Sequence, residues 1–194
     1  WNTTNQTNGV TAGVGNGTSA EITGLTDDQM RNQASYSSWD FVGETANGTD
    51  DYWVMAGYPH LSMEHRTTIT NVIELQMMAF DLTASYILAN DIDATETAQW
   101  NWNGSEYEGF DPVGNYDAVH PEYAFRANFD GNGYKVTGLR INRDTEDYVG
   151  LFGYVLGGIG TGIRNVGIET ETEYGIEGAT NVGALAGAVR DFGL

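Results

Sequence analysis

Cysteine is absent from the 194 residues, so disulfides and thiolate metal sites are both excluded. Lysine occurs once, at Lys135, and only 8 lysines and arginines oppose 27 acids. The resulting net charge of −19 argues strongly against nucleic acid or an anionic lipid surface as partner. No apolar run approaches the ~18 residues that a membrane-crossing helix needs, so no membrane insertion is expected. Histidine is sparse: His60, His65 and His120 are scattered, and Glu64-His65 lacks the spacing of a helical zinc site. There is no Gly-x-Ser-x-Gly elbow. The glycines at 157–162 lack the Lys-Ser/Thr of a phosphate loop and read as a chain corner. Nor is there an initiator methionine or a leader. The chain opens at Trp1 and stops inside a repeated pattern, so an excerpt or processed piece of a longer protein is expected.

What is present is acid, glycine and enough apolar surface for a core. Apolar residues make up 40% of the chain, too many for a disordered segment. A dense acidic surface keeps a protein soluble and attracts cations. With lysine nearly missing, it also suits high salt, where self-repulsion is screened, so a halophilic source is expected.

Residues 125–155 organise the rest. Two short apolar runs, Val136-Thr137-Gly138-Leu139-Arg140-Ile141 and Tyr148-Val149-Gly150-Leu151-Phe152-Gly153, are flanked by turn chemistry at Asp130-Gly131-Asn132-Gly133 and Asn142-Arg143-Asp144. Both runs recur. Val136-x-x-Leu139-x-Ile141 returns as Ile163-x-x-Val166-x-Ile168 after 27 residues, and Leu151-Phe152-Gly153 returns as Leu185-Ala186-Gly187 after 34. No helical periodicity lies between the strands. The pattern therefore predicts an all-β solenoid in which each coil buries its apolar face on the next.

Before that region, residues 1–24 are rich in Asn, Thr and Gly and read as loop. Thr26-Asp27-Asp28-Gln29 is a capping box and predicts a short helix to about Ser35. Residues 36–41 and Tyr52-Trp53-Val54-Met55 read as short strands or packed aromatic loop. A second capping box, Asn71-Val72-Ile73-Glu74, predicts a helix to about Leu82, with Leu75, Met78, Ala79 and Leu82 on its core face. The β region begins at residues 86–93, and a polar, aromatic excursion follows at 100–116.

In succession these segments resemble the GLUG-motif repeat family of bacterial and archaeal surface proteins. The likeness extends to filamentous-haemagglutinin-like adhesins. Asp91-Ile92-Asp93 is similar to the family's opening coil, and residues 125–133 to its F-x-G-x-F-D-G-N-G coil, with Ala127 replacing the first glycine. Residues 148–153 and 182–187 resemble the naming motif, the second copy thinned by Ala186 and Ala188, and Ile163-Arg164-Asn165-Val166-Gly167-Ile168 resembles the strand after it. Trp1-Asn2, Gly24-Leu25-Thr26 with Gln29-Met30, Trp39-Asp40-Phe41, Trp53 and Tyr58-Pro59-x-Leu61 resemble the end of a preceding block. The resemblance implies a right-handed parallel β-helix with short helical segments at a block junction. It divides the chain into a closing segment at 1–61, a helical connector at 62–84, and coils at 85–194 that are cut at the C-terminal end. It also implies an extracellular structural or adhesive protein of the cell surface, or a filament subunit. The expected partners are the chain itself, head to tail, or adjoining repeats of a longer chain.

Three kinds of site are expected on these residues. Asn-x-Ser/Thr sequons at Asn2, Asn5, Asn16, Asn47 and Asn103 mark candidate glycosylation points of a secreted glycoprotein. Asp91, Asp93, Asp130 and Asn132 lie at turns beside strands, where they serve either as Ca2+ ligands or as caps on turn amides. Trp100, Trp102, Tyr107 and Tyr116 offer stacking platforms for surface glycans, which makes a carbohydrate-binding module the alternative function. A polysaccharide-degrading enzyme would need two carboxylates and a base on one face. Arg126, Arg140 and Arg164 give no such grouping in the sequence, and no enzyme is expected.

Overall fold

A computed structural model describes residues 24–158, 162–170 and 175–191. The chain is mostly short strands with few helices, and its sheets are small, with two to four strands each.

Two polar caps start the two helices. Thr26 accepts from the Gln29 amide at 3.2 Å and receives the Gln29 side chain on its own amide, opening α1 (Asp27–Met30). The helix ends well before Ser35, because Asn32 caps a new 3-10 turn, Gln33–Tyr36, through the Ala34 amide. Asn71 accepts from the Glu74 amide at 2.9 Å and opens α2 (Val72–Gln76), which tightens into a 3-10 turn, Met77–Phe80. Of the expected core face, Leu75 and Met78 are fully buried, while Ala79 and Leu82 are only partly so. Of the two readings of residues 36–41, the packed aromatic loop holds: Tyr36, Trp39 and Phe41 pack ring on ring, with a single bridge from Phe41 to Trp53.

Strands β1 (Trp53–Ala56) and β2 (Tyr58–Leu61) form an antiparallel hairpin about Gly57, whose φ is +74. Glycine is required there twice over, since a Cβ would also lie 2.6 Å from the Trp100 indole nitrogen.

Among the described residues, the later strand-to-strand pairings are parallel, with isolated antiparallel bridges at Trp102–Tyr107 and Gly109–Ile141. β3 (Thr68–Ile69), β4 (Tyr86–Leu88), β6 (Asn128–Asp130) and β10 (Gly162–Arg164) lie side by side in one sheet. β5 (Ile92–Asp93), β7 (Lys135–Leu139) and β11 (Gly167–Thr170) form the next. β8 (Ile141–Val149) pairs with β12 (Ile176–Val182), and β9 (Phe152–Gly157) with β13 (Ala186–Asp191). Tyr86, Phe129 and Ile163 thus stand in one row, and Ile92, Val136 and Ile168 in the next.

This register corrects the 27-residue repeat. Val136 stands opposite Ile168, 32 residues on, whereas Ile163 stands opposite Phe129, 34 residues on. Turn length explains the difference between 34 and 32: Gly131-Asn132-Gly133-Tyr134 connects β6 to β7, but only Asn165-Val166 connects β10 to β11. The 27-residue match has another origin: Val136-x-x-Leu139 and Ile163-x-x-Val166 carry similar apolar letters, although β7 and β10 belong to different sheets. The 34-residue spacing holds, with Phe152 opposite Ala186. The turn at Asn132-Gly133 also holds, with φ of +55 and +85. The turn expected at Asn142-Arg143-Asp144 does not exist, because those residues continue β8.

The polar excursion is also part of the packing. Val113 bridges to Phe152 and Phe125 to Val155, both in parallel sense. Phe125, Phe129 and Phe152 meet at ring separations of 4.8 and 5.2 Å within one buried cluster that extends from Ala56 to Val155.

Candidate functional site

Strand β8 has both ends in the core and a middle that faces water, and two adjoining clefts open beside it. The larger encloses about 620 Å³ and the smaller about 280 Å³. Gln33, Val42, Ala79 and Asp111 line both, so the two join across these side chains.

Arg143 reaches the smaller cleft. Its guanidinium lies 2.8 Å from Glu146, 3.3 Å from Asp111 and 3.8 Å from Glu108, and the side chain is only 9% exposed. Burial works to lower its pKa, but Asp111, Glu146 and Glu108 outweigh that and hold it above the ordinary value. The guanidinium is therefore a structural cation, shared among three carboxylates. Trp102 lines the same cleft, held by its amide to the Arg31 carbonyl at 3.1 Å.

The larger cleft is aromatic and acidic. Tyr116 meets Tyr148 at 4.9 Å and Tyr154 at 5.0 Å between ring centres, and Tyr148 meets Tyr154 at 5.5 Å. Tyr148 sits at φ +62, a conformation rarely adopted by side-chain-bearing residues. Tyr123 stacks on His120 at 5.1 Å, and His120 is paired with Glu122 at 2.9 Å. That pairing pushes the imidazole pKa up and the Glu122 carboxyl down. Seven carboxylate residues line this cleft, with no lysine, arginine or histidine among them.

The expected stacking residues separate in the structure. Tyr116 is 39% exposed in the larger cleft, and Trp102 is half-buried in the smaller. Trp100 is 2% exposed and packs against Phe110 and Gly57, so it belongs to the core and not to a sugar-facing surface. Tyr107 donates to Asp28 at 2.6 Å, which joins the excursion to α1. That hydrogen bond, with burial, pushes its pKa up to about 12. Tyr123, Tyr148 and Tyr154 escaped the sequence reading because each stands in a run whose local pattern carries no cleft signal.

The expected Ca2+ ligands lie at strand ends and in the adjoining turns, with Asp93 closing β5 and Asp130 closing β6. Asp130 accepts from the Asn132 amide at 2.9 Å and the Asn165 side chain at 3.1 Å, and pairs with Arg164 at 2.9 Å. Those contacts hold its carboxyl below the usual range. Asp93 accepts from the Thr95 hydroxyl at 2.6 Å and its amide at 3.0 Å, and Asp91 from the Lys135 amide at 3.0 Å. The Asn132 amide nitrogen faces the Leu88 carbonyl at 3.5 Å. Among the described residues no three acidic or histidine side chains gather as a metal-holding group.

Of the sequons, Asn47 and Asn103 are exposed on loops, where a glycan meets no steric barrier from burial. Asn47 donates to the Trp39 carbonyl at 3.2 Å, and Asn103 to Glu108 at 3.1 Å. Asn2, Asn5 and Asn16 lie outside the described residues. Among the described residues no helix is long and apolar enough to cross a membrane.

No known family's sequence profile matches the chain, and no solved structure does. Two curated proteins are similar to it. Halomucin of Haloquadratum walsbyi is 34% identical over 123 residues, 61% of this chain. A protein of Evansella cellulosilytica, named as a Gly-rich membrane protein, is 41% identical over 80 residues, 41% of this chain. The matched stretches span 1% and 8% of those proteins' own lengths.

Proposed function

We propose that this chain is a segment of an extracellular, surface-associated protein of a high-salt environment, and that its work is structural. In this reading the paired strands are coils of a right-handed parallel β-helix of the GLUG-repeat kind. Like units join end to end, as adjoining repeats of one long chain or as copies stacked head to tail.

The observation that carries the reading is the parallel register of rows such as Tyr86, Phe129 and Ile163, each member contributed by a later pass of the chain. The two copies of the resembling motif also stand in register, Val149 opposite Val182 and Phe152 opposite Ala186. The last pass is incompletely covered, with Val182 and Val189 44% and 63% exposed, as expected of a face that receives a neighbour. The similarity to halomucin and to a Gly-rich membrane protein supports a place at the cell surface. The charge of −19 supports a salt-rich one.

The test is sedimentation velocity of the chain in molar salt across a hundredfold concentration range. End-to-end joining predicts elongated species that grow with concentration. A compact monomer throughout would leave only the reading in which neighbours come from the same long chain. Dispersed monomers from a version lengthened by the next repeat, with its outer strands as exposed as before, would overturn that reading too.

A further inference from the structure

The joined clefts beside β8 have no part in end-to-end stacking, yet they are built like a binding groove. Three properties narrow what would occupy them. The first is shape. A depression of about 620 Å³ continues into one of about 280 Å³, which suits an extended ligand better than a compact one. The second is aromatic exposure. Tyr116 and Tyr123 leave 39% and 43% of their surface to water at the larger end, and Trp102 lines the smaller. A flat apolar ring face gains most by stacking on such groups. The third is charge. The larger cleft has carboxylates and no cationic side chain, and the arginine of the smaller one is already shared among three acids. An anionic ligand finds no cationic side chain to pair with.

A cationic ligand would satisfy the charge, but salt decides against it. At ~1 M ionic strength the screening length is about 3 Å, so attraction between exposed charges is largely lost. Ring stacking and short directional hydrogen bonds survive those conditions. Carboxylates and the side-chain amides of Gln33 and Asn115 are hydrogen-bonding partners for hydroxyls. Asp117 is preset for this by accepting from the Val119 and His120 amides at 2.7 and 3.0 Å.

We propose that the groove binds a neutral oligosaccharide chain, with sugar faces stacked on Tyr116 and Tyr123 and hydroxyls bonded to the surrounding carboxylates and amides. This site goes beyond the structural role, and its preference for a neutral over a cationic ligand rests on the salt-rich setting of that reading. Its test is calorimetric and NMR titration of the 194-residue chain in molar salt. The probes are hexasaccharides of glucose, mannose and N-acetylglucosamine, with oligogalacturonate and spermine as charged counterparts. At least one neutral hexasaccharide should bind, with affinity insensitive to further salt. Tyr116→Ala and Tyr123→Ala should each weaken it about tenfold, the equivalent of ~1.4 kcal/mol, while Tyr116→Phe keeps it. Circular dichroism verifies that each variant is folded, and Tyr107→Phe, outside both clefts, serves as the control. Binding of no neutral probe, binding of only a charged one, or binding indifferent to both alanine variants would overturn the proposal.

Discussion

Strands β6 to β9 and strands β10 to β13 pair one to one in parallel, yet their side chains fare differently. Phe129, Val136, Ile141 and Phe152 are fully buried. Their partners Ile163, Ile168, Ile176 and Ala186 are only partly so. The backbone bonds are of the same kind in both runs. What differs is that the earlier run is covered on two sides, by β4, β5 and the excursion on one and by the later run on the other. Burial here is a property of position in the row, and strand pairing alone does not provide it.

That contrast can be broken most sharply in the core. Phe129→Ala should cost about 3–5 kcal/mol, as a fully enclosed ring does, while Ile163→Ala should cost under ~2 kcal/mol because less apolar area is lost. Equal losses in denaturant titrations would show that the two runs are equally enclosed. Arg143 gives the next largest effect. It stands opposite Gly178, so the later run has no counterpart to its three ion pairs. Arg143→Ala removes a buried side chain and leaves three partly solvated carboxylates without their shared cation, and should destabilise by ~2 kcal/mol, mostly through lost packing. Addition of salt should recover part of that loss.

An effect of similar size comes from the contact between the runs. A Cβ on Gly131 would collide with the Asn165 carbonyl and Val166 of the next turn. Gly131→Ala should cost about 1–3 kcal/mol, whereas Gly158→Ala, with open space around it, should stay within ~0.5 kcal/mol. The other end of the row can be probed by pH. His65 packs edge-on against Tyr86, first ring of the Tyr86–Phe129–Ile163 row, with Nε2 2.7 Å from the hydroxyl. Burial lowers its pKa in the fold, ahead of the opposing effect of Asp81. The unfolded chain therefore takes up the proton first. Stability is intact above the ordinary histidine pKa of ~6.5 and is lost as pH falls through the folded value. His65→Gln should flatten that part of the pH–stability curve. The smallest change is expected at Lys135, whose exposed pair with Glu169 at 2.9 Å links the two runs. In molar salt Lys135→Gln should leave the melting temperature unchanged.

How far the sequence foretold this depends on whether a feature is local. The caps at Thr26 and Asn71 and the Asn132-Gly133 turn were legible, because each is decided within four residues by a side chain meeting a nearby amide or by a positive φ. Strand content was legible from the recurring apolar runs at Val136 to Ile141 and Tyr148 to Gly153. Register was only half legible. Leu151 and Leu185 gave the right spacing, but like apolar letters matched Val136 to Ile163, which belongs to the row of Phe129. The burial of Arg143 was not legible at all, since its partners Glu108 and Asp111 lie over 30 residues upstream. The same holds for the tyrosines of the larger cleft, where Tyr116 and Tyr123 join Tyr148 of β8 from a distant stretch of chain. Trp100 was misjudged for a related reason. A tryptophan amid polar residues reads as exposed until Gly57 and Phe110 close over it.

The native absence of cysteine makes a direct test of the register available. Thr137 and Glu169 are facing partners on adjacent parallel strands. Strands ~4.8 Å apart place their Cα atoms within the range that a disulfide bridges. Thr137→Cys with Glu169→Cys should oxidise readily to an intramolecular disulfide, identified by peptide mass mapping. Thr137→Cys with Arg164→Cys, the pairing that a 27-residue repeat would require, should not. Crosslinking of the second pair in preference to the first would contradict the stacked arrangement on which the account stands.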